Sequence, residues 1–217
     1  MKKHTKESAI AIIVECAQRY KEELDGKSLL FICLDKHRKT ILFEFSFCGN
    51  NFMHLTGVKA PKNKLHDDES ADERLYANDF YQKCLNHKLS PEDFDFAEDG
   101  TTYLKLEVLP GVVYKNLRAK MIGDFDSVRP LLYTEKIAGS TSACMGFTFD
   151  QAKGKYVPST ILKEDIRNIT KNTLQVVAVY RKMSDALKYE EMTYRAKNGY
   201  SDIEFPEEFS YLKTETV

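Results

Sequence analysis

The spacing of apolar residues changes abruptly after residue 24, and this change constrains the fold more than any other feature of the chain. Over residues 6–24, apolar side chains recur every three or four positions behind a candidate N-cap, Thr5, which predicts an amphipathic helix. Residues 29–34 and 40–47 are instead rich in strand-forming side chains. The polar residues 35–39 between these two runs therefore predict a β-hairpin.

The rest of the chain alternates in the same way between helical and extended patterns. Residues 70–88 carry an apolar stripe that predicts a second helix, whereas residues 102–118 fit a strand and a helix equally well around Pro110 and Gly111. Residues 161–172 are expected to form a short helix or a structured loop. The C-terminal half is rich in predicted strands, at 120–126, 131–138, 143–149, 155–158 and 174–183. This order predicts an α+β fold with N-terminal helices packed on an antiparallel sheet.

Length and charge suggest one domain with an appendage. Of the 217 residues, we expect 1–200 to form a single domain, with 1–27 as its N-terminal helix, and 201–217 to form an acidic tail. The net charge of −1 hides a segregation: residues 65–100 hold eleven acids against three bases, and residues 151–200 hold ten bases against five acids. A basic face can attract phosphates even on a nearly neutral protein, although both segments could simply be solvated faces. The tail could cover the basic face or remain disordered.

Several classes of protein are poorly supported. The chain has no phosphate-binding loop, no dinucleotide-binding glycine motif and no zinc-protease motif, so no metal and no cofactor are expected. Its five cysteines are widely spaced within mostly apolar runs, which is typical of reduced core residues in a cytoplasmic protein. No apolar run approaches the roughly 20 residues of a membrane helix.

The best candidate for chemistry is the block Asn51-Phe52-Met53-His54-Leu55-Thr56-Gly57-Val58, which follows the second predicted strand. It should place the imidazole of His54 and the hydroxyl of Thr56 at the end of a rigid strand. An imidazole has a pKa of about 6.5 and can exchange protons near neutral pH. Taken alone, however, the block is only a turn with a titratable group.

The block also resembles a known signature. Together with five further segments, it is similar to the phage Barnase–EndoU–colicin–RelE-like nucleases, and to the fourth subgroup of that family in particular. The resemblance spans roughly residues 28–197, and its most specific parts are the His54 block and the segment that starts at Tyr156. The further segments are residues 122–125, 134–139, 144–147, 156–167 and 192–197.

The resemblance implies a BECR-like nuclease fold and metal-independent cleavage of RNA. On that basis we expect His54 to act as general base or acid, with Thr56 positioning the imidazole or the phosphate. Thr160 is a candidate hydroxyl donor, and Lys182, where the strongest predicted strand ends, is a candidate catalytic cation. Barnase-like nucleases often pair a histidine with a glutamate. This chain departs from that pattern, because no acid is obviously paired with His54, and only Glu44 could be brought near by the strand alternation.

Three further cations are candidates for substrate binding, although each could be an ordinary exposed charge. They are Lys136, Lys163 and Arg167, of which the last two are four residues apart and would share one face of a helix. The resulting hypothesis is an endoribonuclease of phage or mobile-element origin, acting on tRNA or mRNA as a toxin, with a possible inhibitor or antitoxin as partner. The alternatives are a non-catalytic interaction or inhibitor protein on the same scaffold, and a virion component.

Overall fold

The computed structural model describes residues 4–61, 69–126 and 133–214 of the chain. Its four α-helices lie between residues 6 and 112, and the sequence predicts two of them, those near residues 6–24 and 70–88. They are α1 (Lys6–Glu23), α2 (Phe52–Thr56), α3 (Glu69–Leu85) and α4 (Thr101–Val112).

The first helix forms as its sequence pattern predicts. The side chain of Thr5 accepts a hydrogen bond from the backbone nitrogen of Ser8 (3.3 Å), which satisfies one of the free amides of the first turn of α1. Ile13 and Tyr20 lie on its buried face. The ambiguous stretch 102–118 begins as α4, whose Leu106 and Leu109 are buried at helical spacing.

Ten strands follow or separate these helices. Residues 131–138, expected as one strand, are observed only from Lys136 onward, and 127–132 lie outside the described residues. The strands are β1 (Lys27–Leu34), β2 (Thr40–Ser46), β3 (Val58–Lys59), β4 (Asp95–Phe96), β5 (Met121–Phe125), β6 (Lys136–Gly139), β7 (Cys144–Asp150), β8 (Lys155–Leu162), β9 (Thr170–Met183) and β10 (Glu191–Arg195).

Seven of the strands form a closed barrel, whereas the sequence analysis predicted only an antiparallel sheet packed on helices. Their order is β1-β2-β8-β7-β6-β5-β9, and β9 pairs back with β1 along the register Leu29 to Arg181 and Phe31 to Val179. β10 pairs with the part of one edge of β9 that β5 does not contact, and β3 and β4 form a separate two-stranded antiparallel sheet. One contact of the barrel, between Phe45 of β2 and Tyr156 of β8, is parallel, which also departs from the prediction.

The stretch 161–172, expected as a short helix or a structured loop, holds the end of β8, one short turn and the start of β9. β8 continues to Leu162, and only Ile166–Asn168 form a single 3-10 turn, capped by the side chain of Asp165. Lys163 and Arg167 therefore do not share a helix face. The four-residue spacing of the two cations was misleading because Asp165 caps the start of this turn, so that Lys163 lies before the turn and Arg167 lies within it.

The barrel and the helices share one hydrophobic core. Phe45 of β2 and Phe147 of β7 are fully buried, with ring centroids 4.2 Å apart, and the same cluster includes Ile13 of α1 and Leu109 of α4. The helices consequently pack against one face of a strongly curved sheet. All five cysteines are free, and four of them are buried, as the sequence predicts.

The C-terminal segment covers the opposite face of β1 and β9. It contains two 3-10 helices, Tyr200–Asp202 and Glu207–Thr214. The hydroxyls of Tyr180 and Tyr200 are 2.8 Å apart, and Leu212 is buried in a cluster with Leu30 of β1. The acidic tail is therefore folded onto the sheet over its described part.

The core predicts a difference between two neighbouring phenylalanines of β7. Phe147→Ala removes a fully buried ring and should lower the free energy of unfolding by about 3–5 kcal/mol. Phe149→Ala should cost clearly less, because Phe149 is partly exposed and packs mainly on Tyr156. Urea unfolding of both variants measures the difference; equal losses would contradict this account of the core.

Candidate active site

The His54 block folds as a helix and not as the end of a strand. A 3-10 turn, Gly49–Asn51, leads from β2 into α2, so that His54 lies in the middle of this short helix. Phe52 and Leu55 are buried three residues apart on one side of α2, which leaves the side chain of His54 on the exposed side. The imidazole is thus accessible, as a group that exchanges protons with a substrate must be.

Thr56 is fully buried and serves the backbone. Its hydroxyl donates a hydrogen bond to the carbonyl of Met53 (2.6 Å) and accepts one from the amide of Val58 (3.3 Å). These contacts fix the end of α2 and the start of β3. Thr56 therefore positions the helix that carries His54.

Gly57 joins α2 to α4 at close range. Its φ of +74° is in the left-handed region that favours glycine, and its carbonyl accepts a hydrogen bond from the hydroxyl of Thr102 (2.6 Å). A Cβ atom at this position would lie 2.6 Å from Cδ of Lys105 and 3.3 Å from Cα of Thr102. The glycine allows α4 to approach the end of α2.

This approach brings Lys105 to the His54 helix. The Nζ atom of Lys105 donates a hydrogen bond to the carbonyl of His54 (3.1 Å). Burial, with a further contribution from the positive charge of Lys59, lowers the pKa of Lys105 to about 8, and Asp99 partly opposes this shift. Lys105 is therefore a lysine that titrates close to neutral pH. Its place beside the His54 helix was not predictable from the sequence, because residues 102–118 fit a strand and a helix equally well.

Two clefts meet beside these residues. His54 and Lys59 line a small cleft of about 80 Å³ that also contacts Tyr76. Lys59 and Ala60 also line a larger cleft of about 680 Å³, whose other side carries Phe96 and three carboxylates. The carboxylates are those of Asp95, Glu98 and Asp99. His54, Lys59 and Lys105, which place two lysines on and beside the His54 helix at the edge of an acidic cleft, are here called the His54 site.

The three cations expected to bind substrate are each engaged by an acid. Lys136 pairs with Asp124 across β5 and β6 and also lies 5.2 Å from the ring centroid of Phe43. Lys163 pairs with Glu107 of α4. Arg167 pairs with Asp165. None of the three is among the residues that line the cleft of about 80 Å³ beside His54.

Thr160 and Lys182 also lie apart from His54. Thr160 is buried opposite Gly146 on β7. The Nζ atom of Lys182 donates a hydrogen bond to the carbonyl of Ala186 (2.7 Å), and Lys182 lines a different cleft, of about 220 Å³. Burial and the nearby charge of Lys155 lower the pKa of Lys182.

Glu44 does not supply the missing acid. Its carboxylate pairs with Lys155 (2.9 Å). Among the described residues, no group of three His, Cys, Asp or Glu side chains is arranged to hold a metal ion. Within the same residues, no helix is long and apolar enough to cross a membrane.

Comparison with protein families supports the resemblance that the His54 block and the other segments carry. Residues 12–198 match the family described as phage-Barnase-EndoU-ColicinE5/D-RelE like nuclease4. The chain belongs to this family. The match confirms the resemblance seen in the sequence, includes all three residues of the His54 site, and ends before the two C-terminal 3-10 helices. No curated protein and no solved structure gave a match.

The geometry at Gly57 predicts a larger loss of stability than its φ alone requires. Gly57→Ala should lower the free energy of unfolding by about 1–2 kcal/mol from the left-handed backbone, and further because the new methyl group meets Lys105 and Thr102. Gly154→Ala is the matched control: Gly154 has a φ of +62°, but no atom lies within 4 Å of the place its Cβ atom would take, so it should lose only the first part. Equal losses in urea unfolding would refute the close contact between α2 and α4.

The lowered pKa of Lys105 predicts a pH dependence of stability. The folded protein releases this proton near pH 8, whereas the unfolded chain releases it near 10.5. Since the unfolded state binds more protons between these values, the stability of the wild type relative to Lys105→Met should rise as the pH rises from about 8 to 10.5. Unfolding curves of both proteins across this range test the sign, and a difference that falls or stays constant would contradict it.

Proposed function

We propose that the protein is an endoribonuclease that cleaves RNA by metal-independent transesterification at the His54 site. The family is a nuclease family, which supports cleavage of nucleic acid. The choice of RNA and of a metal-independent reaction rests on the side chains of the site. The single observation that carries the proposal is the contact of Lys105, with its pKa of about 8, to the carbonyl of His54 beside Lys59.

The proposed reaction needs three functions, and the His54 site offers each of them. The ribose 2′-oxygen attacks phosphorus, so that a 2′-O–P bond forms while the P–O5′ bond breaks. A base accepts the proton of the 2′-hydroxyl, and an acid donates a proton to the leaving 5′-oxygen. His54 exchanges one of these protons and Lys105, whose pKa is about 8, exchanges the other, while Lys59 stabilises the negative charge of the phosphorane.

Electrostatics favours a phosphate at this position. The charge of Lys59 disfavours the protonated form of Lys105, so the two cations repel each other in the absence of an anion. A phosphate placed between them would reverse this effect and favour the protonated form of Lys105. Thr56 then acts as a positioning residue for His54, through its bonds to Met53 and Val58.

The remaining candidates receive lesser roles in the proposal. Lys136, Lys163 and Arg167 would contact RNA only by sharing or leaving their carboxylate partners. Thr160 and Lys182 are proposed to support the fold around β8 and β9, because Thr160 is buried and Lys182 is bonded to a backbone carbonyl.

Cleavage assays in EDTA test the proposal. The purified protein should cut a fluorogenic RNA oligonucleotide in the presence of EDTA, and should leave the same sequence intact when every sugar is 2′-deoxy. His54→Ala and Lys105→Met should each lower kcat/KM by about 10²-fold or more. His37→Ala is the matched control, because His37 is another exposed histidine, in the β1–β2 turn.

Three results would contradict the proposal. Cutting of the all-deoxy substrate would indicate a different reaction, since no 2′-hydroxyl could attack. Full activity of His54→Ala would remove the site from the mechanism. Absence of cutting with EDTA and with added Mg²⁺ or Zn²⁺ would favour a non-catalytic interaction protein on the nuclease scaffold.

A further inference from the structure

A group of exposed cations lies away from the His54 site, on the loop between α4 and β5 and at the end of β10. Its members are Arg118, Lys120, Arg195 and Lys197. In the described parts of the chain, none of these four forms an ion pair with a carboxylate. Their setting differs from that of Lys136, Lys163 and Arg167, each of which is paired with an acid.

Three of the four cations lie over tyrosine rings instead. The guanidinium of Arg118 is 5.0 Å from the ring centroid of Tyr114, and the Nζ atom of Lys120 is 4.1 Å from that of Tyr194. The guanidinium of Arg195 is 4.1 Å from the centroid of Tyr200. All three rings are partly exposed. The charges are therefore held in place without being neutralised.

The loop that carries Arg118 is held in an unusual conformation. Leu117 and Arg118 both have positive φ values, 56° and 48°, although neither is glycine. Buried Asn116 stabilises this turn, since its side chain accepts a hydrogen bond from the amide of Arg118 (3.1 Å) and its carbonyl accepts one from Ala119 (3.1 Å). Backbone strain of this kind persists where the surroundings fix a conformation, and it presents Arg118 to solvent at a defined place.

The two segments are neighbours on β9. The carbonyl of Lys120 accepts a hydrogen bond from the amide of Val176 (2.9 Å), and the amide of Ala196 donates one to the carbonyl of Val177 (2.8 Å). Adjacent residues of one strand therefore hold the end of the loop and the end of β10 side by side. The cations and rings form one surface, here called the Arg118 surface.

We propose that the Arg118 surface binds single-stranded RNA, with phosphates on its cations and unpaired bases against its tyrosine rings. This proposal rests on the proposed ribonuclease function for the identity of the nucleic acid. Positive charge that tracks a backbone, combined with aromatic rings that stack on bases, is the usual chemistry of single-strand binding. A polypeptide acid would use the charges but not the rings, so RNA fits the surface better.

The position of the surface suits an extended substrate. α4 carries Lys105 of the His54 site and ends at Val112, just before the loop. The advance of seven residues from Lys105 to Val112 spans about 10 Å of helix. An RNA strand that followed α4 from the His54 site to the loop would place nucleotides that are not cut on the Arg118 surface.

Fluorescence anisotropy with fluorescein-labelled oligouridine of 12 nucleotides tests the binding directly. The double variant Arg118→Gln/Lys120→Gln should raise Kd at least tenfold and reduce the slope of log K against log salt by about 1.4, or about 0.7 for each lost phosphate contact. Tyr194→Leu should also raise Kd. The matched control is Lys153→Gln/Lys171→Gln, which removes two exposed but acid-paired cations and should change Kd less than twofold.

Cleavage separates this proposal from the ribonuclease assignment. The dinucleotide UpA is too short to reach from His54 to the surface, so the Arg118→Gln/Lys120→Gln variant should cut it as the wild type does, while KM for the 12-mer rises. Loss of oligouridine binding in that variant supports the surface even if no protein cuts RNA. Unchanged binding overturns the proposal, as does equal competition for the surface by polyglutamate, which would indicate an acidic protein partner.

Discussion

The pairing of β9 with its neighbours is the constraint on which the rest of the structure depends. This strand of 14 residues pairs with β1 along one edge and with β5 and β10 along the other. Residues 176–180 are buried, so both faces of its centre are covered. Because β1 pairs with β2 and β5 pairs with β6, the contacts of β9 close the barrel. The same strand also holds the loop of Arg118 beside the end of β10.

The helices pack on the barrel through one shared hydrophobic cluster. Buried residues of the strands and the apolar faces of α1, α2 and α4 all belong to it. α2 and α4 both contact β8, and Gly57 allows them to contact each other. His54 and Lys105, 51 residues apart in sequence, are thereby held on two rigid helices at hydrogen-bond distance through the carbonyl of His54.

Local patterns predicted α1, α3 and the seven barrel strands, but not α2, β10 or the long-range contacts. α1, the β1–β2 hairpin and β9 follow from apolar spacing, because each buries a face that its own period defines. The parallel contact of Phe45 with Tyr156 could not be predicted, since it joins strands more than 100 residues apart. The sequence made His54 a candidate, but not Lys59 or Lys105. Their proposed role depends on distance and burial, which no single-sequence pattern contains.

In the proposed reaction, protonation and phosphate binding are coupled at the His54 site. A phosphate beside Lys105 would favour the protonated lysine, so lowering the pH below about 8 should strengthen its binding. Asp99 acts in the same direction, because its charge favours the protonated form of Lys105 and opposes the effect of Lys59. One carboxylate of the acidic cleft therefore helps to keep Lys105 a cation near neutral pH despite its burial.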